Sequence, residues 1–87
     1  MITCFRRPEN DHLRAAFLDA HKAHLRSGVV DVVMAGSLKG GQGGSMIVAN
    51  VTDLHELAAF NEDDPFVREG IYQRSEIYEW TITLDKW

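Results

Sequence analysis

The sequence lacks the covalent and metal cross-links that commonly stabilise small proteins. Its 87 residues contain one cysteine, so no internal disulfide can form and no cysteine-rich metal framework is available. The four histidines have no spacing that completes a recognisable zinc site, and we expect no metal or other cofactor. A domain of this length buries only about 60% of its unfolded surface. We therefore expect additional burial against a second copy of the chain, in a homodimer.

Long apolar runs and an excess of positive charge are also absent. No segment approaches the roughly 18 apolar residues of a membrane span, and the N-terminus does not resemble a signal peptide. The 13 acidic and 9 basic side chains give no electrostatic support for a nucleic-acid partner. A hydrophobic share of 45% is too high for a disordered chain. The sequence predicts one cytoplasmic domain over residues 1–87, with neither a membrane nor a nucleic acid as its partner.

The hydrophobic pattern predicts a mixed α+β protein. Four segments have the composition or alternation of strands: 2–5, 29–35, 46–51 and 76–84. The second of these strands is expected to be buried. Two segments have the periodicity and end signals of helices, from Pro8 to about Gly28 and from Asp53 to about Asn61. A shorter turn or helix is expected from Asp64 to Gly70. The order β-α-β-β-α-β is that of a ferredoxin-like fold.

This order has a consequence for association. Two helices cover one face of a four-stranded sheet and leave the other face bare. We expect a second copy to cover the bare face, which would leave a cavity between the two sheets.

The first predicted helix carries a candidate catalytic histidine. One face of this helix collects apolar residues at about 100° per residue: Leu13, Ala16, Phe17 and Ala20. His24 falls near the centre of that face, where the pattern calls for an apolar side chain. His21 falls toward its edge and is expected to be semi-exposed. His24 is interpreted either as a hydrogen-bonded core histidine or as an acid–base group, since an imidazole is the side chain best suited to exchange a proton near neutral pH.

Asp64 is a candidate partner for such a histidine. An aspartate before Pro65 is a typical N-cap, which stabilises a helix start by about 1 kcal/mol. A capping carboxylate is also held rigidly, as the orientation of a histidine requires. The capping and catalytic interpretations of Asp64 are compatible.

The glycine-rich segment 36–44 has the glycine spacing of a phosphate-binding loop, but it does not fit one. Gln42 stands where the lysine belongs, and a strand follows instead of a helix. We interpret the segment as the tip of a hairpin between the second and third strands. Ser45, at the start of the third strand, could direct its hydroxyl toward a cavity.

These pieces together resemble the YciI-like (YCII-related) family over nearly the whole chain. The resemblance is carried by His24-Leu25, Ala35-Gly36, Gly44-Ser45 and the block Asp64-Pro65-Phe66-Val67 with Gly70-Ile71-Tyr72. It implies a dimeric α+β barrel of ferredoxin-like subunits, shared with muconolactone isomerase-like proteins. It also implies a histidine–aspartate pair in a cleft, mapped here to His24 and Asp64. The sequence departs from the pattern at His21, where relatives commonly carry arginine, and in its short glycine-rich loop after Gly36.

The activity that the resemblance implies is cofactor-free removal of HCl from a chlorinated hydroxyhydroquinone. His24 would move the proton and Asp64 would orient the imidazole, while Ser45, Gly36 and Tyr72 are candidate contacts for the small aromatic substrate. Three alternatives stay open at this point. One is a lactone isomerase-like proton-transfer enzyme, and another is a non-catalytic dimeric module that binds an aromatic ligand. The third is a cofactor-free monooxygenase on the same barrel.

Overall fold

The computed structural model describes residues 1–81 and residue 83, and it confirms the predicted β-α-β-β-α-β order. The strands are β1 (Ile2–Arg6), β2 (Asp31–Leu38), β3 (Gly44–Asn50) and β4 (Tyr72–Ile77). The helices are a 3₁₀ helix (Pro8–Leu13), α1 (Arg14–Leu25), α2 (Leu54–Glu62) and the short α3 (Pro65–Arg68). None of these helices is long and apolar enough to cross a membrane.

The strands form one antiparallel sheet in the order β2-β3-β1-β4. Ile2 of β1 pairs with Ile47 of β3, and Cys4 pairs with Ser45, so these four side chains share one face of the sheet. All four are buried. They form the core together with buried side chains of the helices and of the segment before β4, namely Leu57, Phe60, Phe66 and Ile71.

Local sequence signals explain where the helices begin and end. Asp53 caps α2 by accepting a hydrogen bond from the backbone N–H of His55. Gly28, three residues after α1, adopts a φ of 80°, a conformation that favours glycine. Pro8 opens the 3₁₀ helix, which continues into α1 without a break. The first predicted helix is therefore two helices with different residues per turn.

The prediction of the fourth strand requires correction. The fourth strand is Tyr72–Ile77, whereas we predicted 76–84 from the alternation of its aromatic and aliphatic residues. Tyr78 and Trp80 follow the strand and are about half exposed, so their alternation does not reflect a buried sheet face. Ile82 and Leu84 of that predicted strand lie outside the described residues.

The second strand is not buried, contrary to prediction. β2 lies at an edge of the sheet, where its side chains are mostly exposed; Val33 and Met34 are each about half exposed, at 51% and 49%. The predicted hairpin of β2 and β3 is confirmed, with a shorter tip than expected. Gly36 and Ser37 belong to β2 and Gly44 to β3, so residues 39–43 alone form the turn.

At Gly44 of this hairpin, both the backbone conformation and the lack of space require glycine. Its φ is 147°, and a Cβ atom there would overlap the carbonyl oxygen of Cys4 on β1. The absence of a side chain lets β3 lie against β1 at the level of Ser45, which brings that serine beside the core.

Candidate functional site

The site is built around a buried carboxylate, that of Asp64, at the start of α3. Its Oδ1 accepts a hydrogen bond from the backbone N–H of Phe66 at 2.9 Å, which confirms the predicted N-cap. The same oxygen lies 2.8 Å from Nδ1 of His21 on α1. Asp64 is fully buried, so both contacts are made away from solvent. The cap thereby fixes the carboxylate against the histidine.

His21 is held on its other sides by aromatic rings. Its imidazole stacks on the Phe66 ring, with 4.1 Å between centroids and 2° between planes. Tyr72 approaches the imidazole edge-on at 6.5 Å. Because Nδ1 donates to the carboxylate in the neutral ring, Nε2 is left as the unprotonated nitrogen that can accept a proton. Only 8% of His21 is exposed, contrary to the predicted semi-exposed position.

The predicted pairing of His24 with Asp64 is wrong. His24 Nε2 donates to the backbone carbonyl of Phe60 at 2.7 Å, and its ring stacks on that of Phe60 at 4.1 Å. This is the hydrogen-bonded histidine that the sequence also allowed. The prediction relied on Ala16 and Ala20 to locate the inward face of the helix, and both alanines are exposed. The face that points inward is instead centred on His21.

Tyr72 and Ser45 form a second polar pair beside the histidine. The Tyr72 hydroxyl donates to Ser45 Oγ at 2.8 Å, and both residues are buried. Burial raises the pKa of Tyr72 to about 12, so its hydroxyl stays protonated at neutral pH. The pair therefore presents neutral hydrogen-bonding groups, and the site's charge resides on other side chains.

A cavity of about 770 Å³ opens between α1 and the β2–β3 side of the sheet. His21 lines it, together with all three predicted substrate contacts, Ser45, Gly36 and Tyr72. Asp64 lies behind His21, and His24 does not line the cavity. This volume suits a small-molecule ligand. The predicted cavity between two sheets is not needed to form these walls, because one chain supplies them from its helix and sheet.

The sequence interpretation missed Arg14, which also lines the cavity. Its guanidinium carbon lies 5.7 Å from the centre of the Phe66 ring, on which the His21 imidazole stacks. Arg14 precedes His21 by two helical turns, so the two share a face of α1. The i, i+7 spacing is visible in the sequence, but it is informative only when His21 is known to point inward.

The remaining thiol and imidazole groups do not extend the site. The Cys4 thiol is buried and lies 3.7 Å from Asn61 Oδ1, and burial raises its pKa, which disfavours the reactive thiolate. His12 and His55 are exposed. Among the described residues, no group of three histidine, cysteine, aspartate or glutamate side chains could hold a metal ion.

These features define a small α+β protein with a ligand-sized cavity, a histidine in the cavity wall and a buried aspartate behind that histidine. The family model that describes the YCII-related domain matches residues 1–81 of the sequence, and the chain belongs to this family.

One solved structure shows the same fold over nearly the whole chain. It is the 5-chloro-2-hydroxyhydroquinone dehydrochlorinase (TftG) of Burkholderia phenoliruptrix AC1100, in complex with 2,5-dihydroxybenzoquinone. The match has a TM-score of 0.81 at 23% identity, and it covers 92% of this chain and 90% of that one. At this identity the likeness establishes the ferredoxin-like fold. No curated protein sequence matches this chain significantly.

Proposed function

We propose that this protein is a cofactor-free lyase that removes HCl from a chlorinated hydroxyhydroquinone, with His21 as the acid–base group and Asp64 as its orienting partner. The observation that carries the proposal is the 2.8 Å contact between a fully buried carboxylate and a histidine in a cavity wall. A structural relative that carries this activity and binds a dihydroxybenzoquinone supports the choice of an aromatic substrate.

The burial of Asp64 supports a role beyond helix capping. Its Oδ2 is buried and forms no hydrogen bond with any of the described residues. Burying a carboxylate with an unsatisfied oxygen costs stability, whereas a capping residue at the surface would have its oxygens solvated. A buried, oriented carboxylate favours one tautomer of the histidine and stabilises the imidazolium formed when His21 accepts a proton.

The proposed reaction is a proton-transfer sequence that ends in loss of chloride. His21 Nε2 accepts the proton of the ring hydroxyl para to chlorine, and the electron pair moves through the ring to the chlorine-bearing carbon, which takes up a proton. Deprotonation of a second hydroxyl then sends its electron pair into the ring, and the C–Cl bond breaks. Two O–H protons are lost and one C–H bond forms, so one H⁺ and one Cl⁻ leave, giving a hydroxyquinone without any net oxidation. General acid–base groups of this kind contribute typically 10²–10⁴-fold to rate.

The test is chloride release from 5-chloro-2-hydroxyhydroquinone, measured without oxygen to prevent autoxidation and corrected for the uncatalysed rate. A panel of unsaturated lactones is assayed with the same preparation. The proposal predicts chloride release with stoichiometric hydroxyquinone formation and no lactone isomerisation. Isomerised lactone without chloride release would indicate a lactone isomerase instead. Thermal stabilisation by the hydroxyquinol without any product would indicate a binding module.

We further propose that the chain acts as a cytoplasmic homodimer whose subunits associate through the outer sheet face. Ile47 points to the helices, so its neighbours Met46 and Val48 point outward. Val48 pairs with Met34, which is 49% exposed, and Phe5 of β1 also points outward. An apolar sheet face of this kind needs a covering partner.

A further inference from the structure

The cavity walls are positively charged although the chain is not. The net charge of the chain is -4, yet the cavity is lined by three basic side chains, Arg14, Lys22 and Arg26, and by a single carboxylate, that of Asp31. Within residues 1–81 and 83, none of the three basic side chains forms a salt bridge. Their charge is therefore available to a ligand in the cavity.

Arg14 is the basic residue nearest to the proposed chemistry. Lys22 and Arg26 are exposed, whereas Arg14 is partly buried against Phe66. The Phe66 ring that contacts its guanidinium also stacks on His21. The charge of Arg14 also acts on Tyr72, where it opposes the larger effect of burial on the pKa of that hydroxyl. Arg14 thus belongs to the same cluster as His21 and Tyr72.

A guanidinium in this position would favour a negatively charged ligand oxygen. A fixed cation lowers the pKa of a nearby phenol or carboxylic acid, and guanidinium groups bind planar oxyanions with directed hydrogen bonds. No carboxylate competes for Arg14 among its described contacts, since Asp64 is engaged by His21 and Phe66. Tyr72 and Ser45 are neutral and hydrogen-bond each other.

We infer that the cavity selects aromatic ligands in their anionic form, and that Arg14 is the specificity-determining residue that binds the ligand's negatively charged oxygen. This inference rests on the proposed function, from which it takes the kind of ring that is bound. It adds the charge state in which that ring binds. Lys22 and Arg26, which are exposed and also line the cavity, supply further positive charge. In the proposed lyase reaction this anionic oxygen forms when the ring hydroxyl gives its proton to His21, and it is the form from which electron density can be pushed toward the chlorine-bearing carbon.

The test compares two quinones of similar shape and different charge. 2,5-Dihydroxybenzoquinone is ionised at neutral pH, whereas 2,5-dimethoxybenzoquinone is neutral. Their affinities for the full-length chain are measured by isothermal titration calorimetry at low ionic strength. The variants are Arg14→Gln and, as a matched control, Arg68→Gln, which removes a positive charge from an exposed residue outside the cavity lining. Thermal melts establish that both variants fold.

We expect the wild-type chain to bind the ionised quinone at least about tenfold more tightly than the neutral one. Arg14→Gln should weaken binding of the ionised quinone by about tenfold or more, as loss of a charged hydrogen bond does, and leave binding of the neutral quinone unchanged. Arg68→Gln should change neither affinity. Equal wild-type affinities, no binding of the ionised quinone, or equal weakening of both ligands by Arg14→Gln would overturn the inference.

Failure of this inference is distinguishable from failure of the proposed function. Binding is measured without turnover, so charge selectivity can hold in a chain that releases no chloride. Conversely, chloride release with no preference between the two quinones would support the lyase activity and would refute only the inference that the cavity selects anionic ligands.

Discussion

At the residue scale, one oxygen atom of Asp64 links the fold to the proposed chemistry. Oδ1 caps α3 through the N–H of Phe66 and also contacts His21. A substitution that removes the cap therefore also removes the orienting group, and loss of activity alone would not separate the two roles. Asparagine separates them, because its amide oxygen is an equally good N-cap but carries no charge.

We predict that Asp64→Asn retains most of its stability and loses activity. Its free energy of unfolding should fall by no more than about 1 kcal/mol, whereas Asp64→Ala should lose at least that much because the cap is also lost. The rate of chloride release should fall by about 10²-fold or more in both variants, since the imidazolium is no longer stabilised by a carboxylate. Urea denaturation and steady-state kinetics measure the two effects. Full activity in Asp64→Asn would restrict Asp64 to a capping role.

A second prediction at this scale concerns Tyr72 and high pH. Its pKa is about 12 in the folded chain because of burial, compared with about 10 when unfolded. Between these values the unfolded state loses the proton more readily, so the free energy of unfolding should fall as the pH rises from 10 to 12. Below pH 10 this contribution is fully present.

The comparison variant is Tyr72→Phe, which has no hydroxyl to ionise. Urea denaturation at several pH values should give a shallower decline of stability above pH 10 for this variant than for the wild-type chain. Its stability at pH 8 should already be about 1 kcal/mol lower, because the hydrogen bond to Ser45 is lost. Parallel declines in the two proteins would show that Tyr72 is not buried as described.

At the scale of elements, helix α1 shows what the sequence could and could not reveal. The existence and order of the elements follow from short β-branched runs, the Asp53 and Asp64 caps and glycine stops, and these predictions are confirmed. The face of α1 that packs against the core was not predictable from the apolar residues of the helix, because alanine is a good helix former on any face. The side chains facing inward include two long or polar ones, Arg14 and His21.

The prediction of the bounds of the fourth strand was wrong for a related reason. Its true segment contains Gln73, Arg74 and Glu76, whose polarity hides the strand, because only one of its faces contacts the core. The nearby aromatic alternation gave a stronger but misplaced signal. Ser45 was a candidate from its place at the start of the third strand and Tyr72 from the resemblance, and no local pattern would have shown that their hydroxyl groups hydrogen-bond to each other.

The β1–β3 junction provides a prediction at the element scale. Gly44→Ala should destabilise the fold by about 3 kcal/mol or more, because the new methyl group meets the Cys4 carbonyl at a φ that disfavours side chains. Gly36→Ala is the control, since a Cβ there meets no atom within 4 Å. Equal urea midpoints for the two variants would contradict the close approach of β3 to β1.

At the scale of the whole molecule, the sheet face that residues 1–81 and 83 leave uncovered is where a second copy would add the burial that a small core lacks. The chain buries one face of its sheet under helices and leaves Met34 and Val48 on the other. We predict a homodimer in sedimentation velocity experiments at micromolar concentration. Val48→Lys should shift it to monomer by placing a charge in the interface, whereas Thr52→Lys, at an exposed loop position, should not. A monomeric wild-type chain would refute the dimer.

The most direct measurement compares chloride release by His21→Gln and His24→Gln on 5-chloro-2-hydroxyhydroquinone. Both variants replace a histidine of the same helix, three residues apart, by a neutral hydrogen-bonding side chain. His21→Gln removes the proton acceptor in the cavity wall, and its rate should fall by 10²-fold or more. His24→Gln can still donate to the Phe60 carbonyl, and its rate should stay within about threefold of the wild-type rate. An active His21→Gln, or a folded His24→Gln that releases no chloride, would contradict the assignment of His21 as the acid–base group.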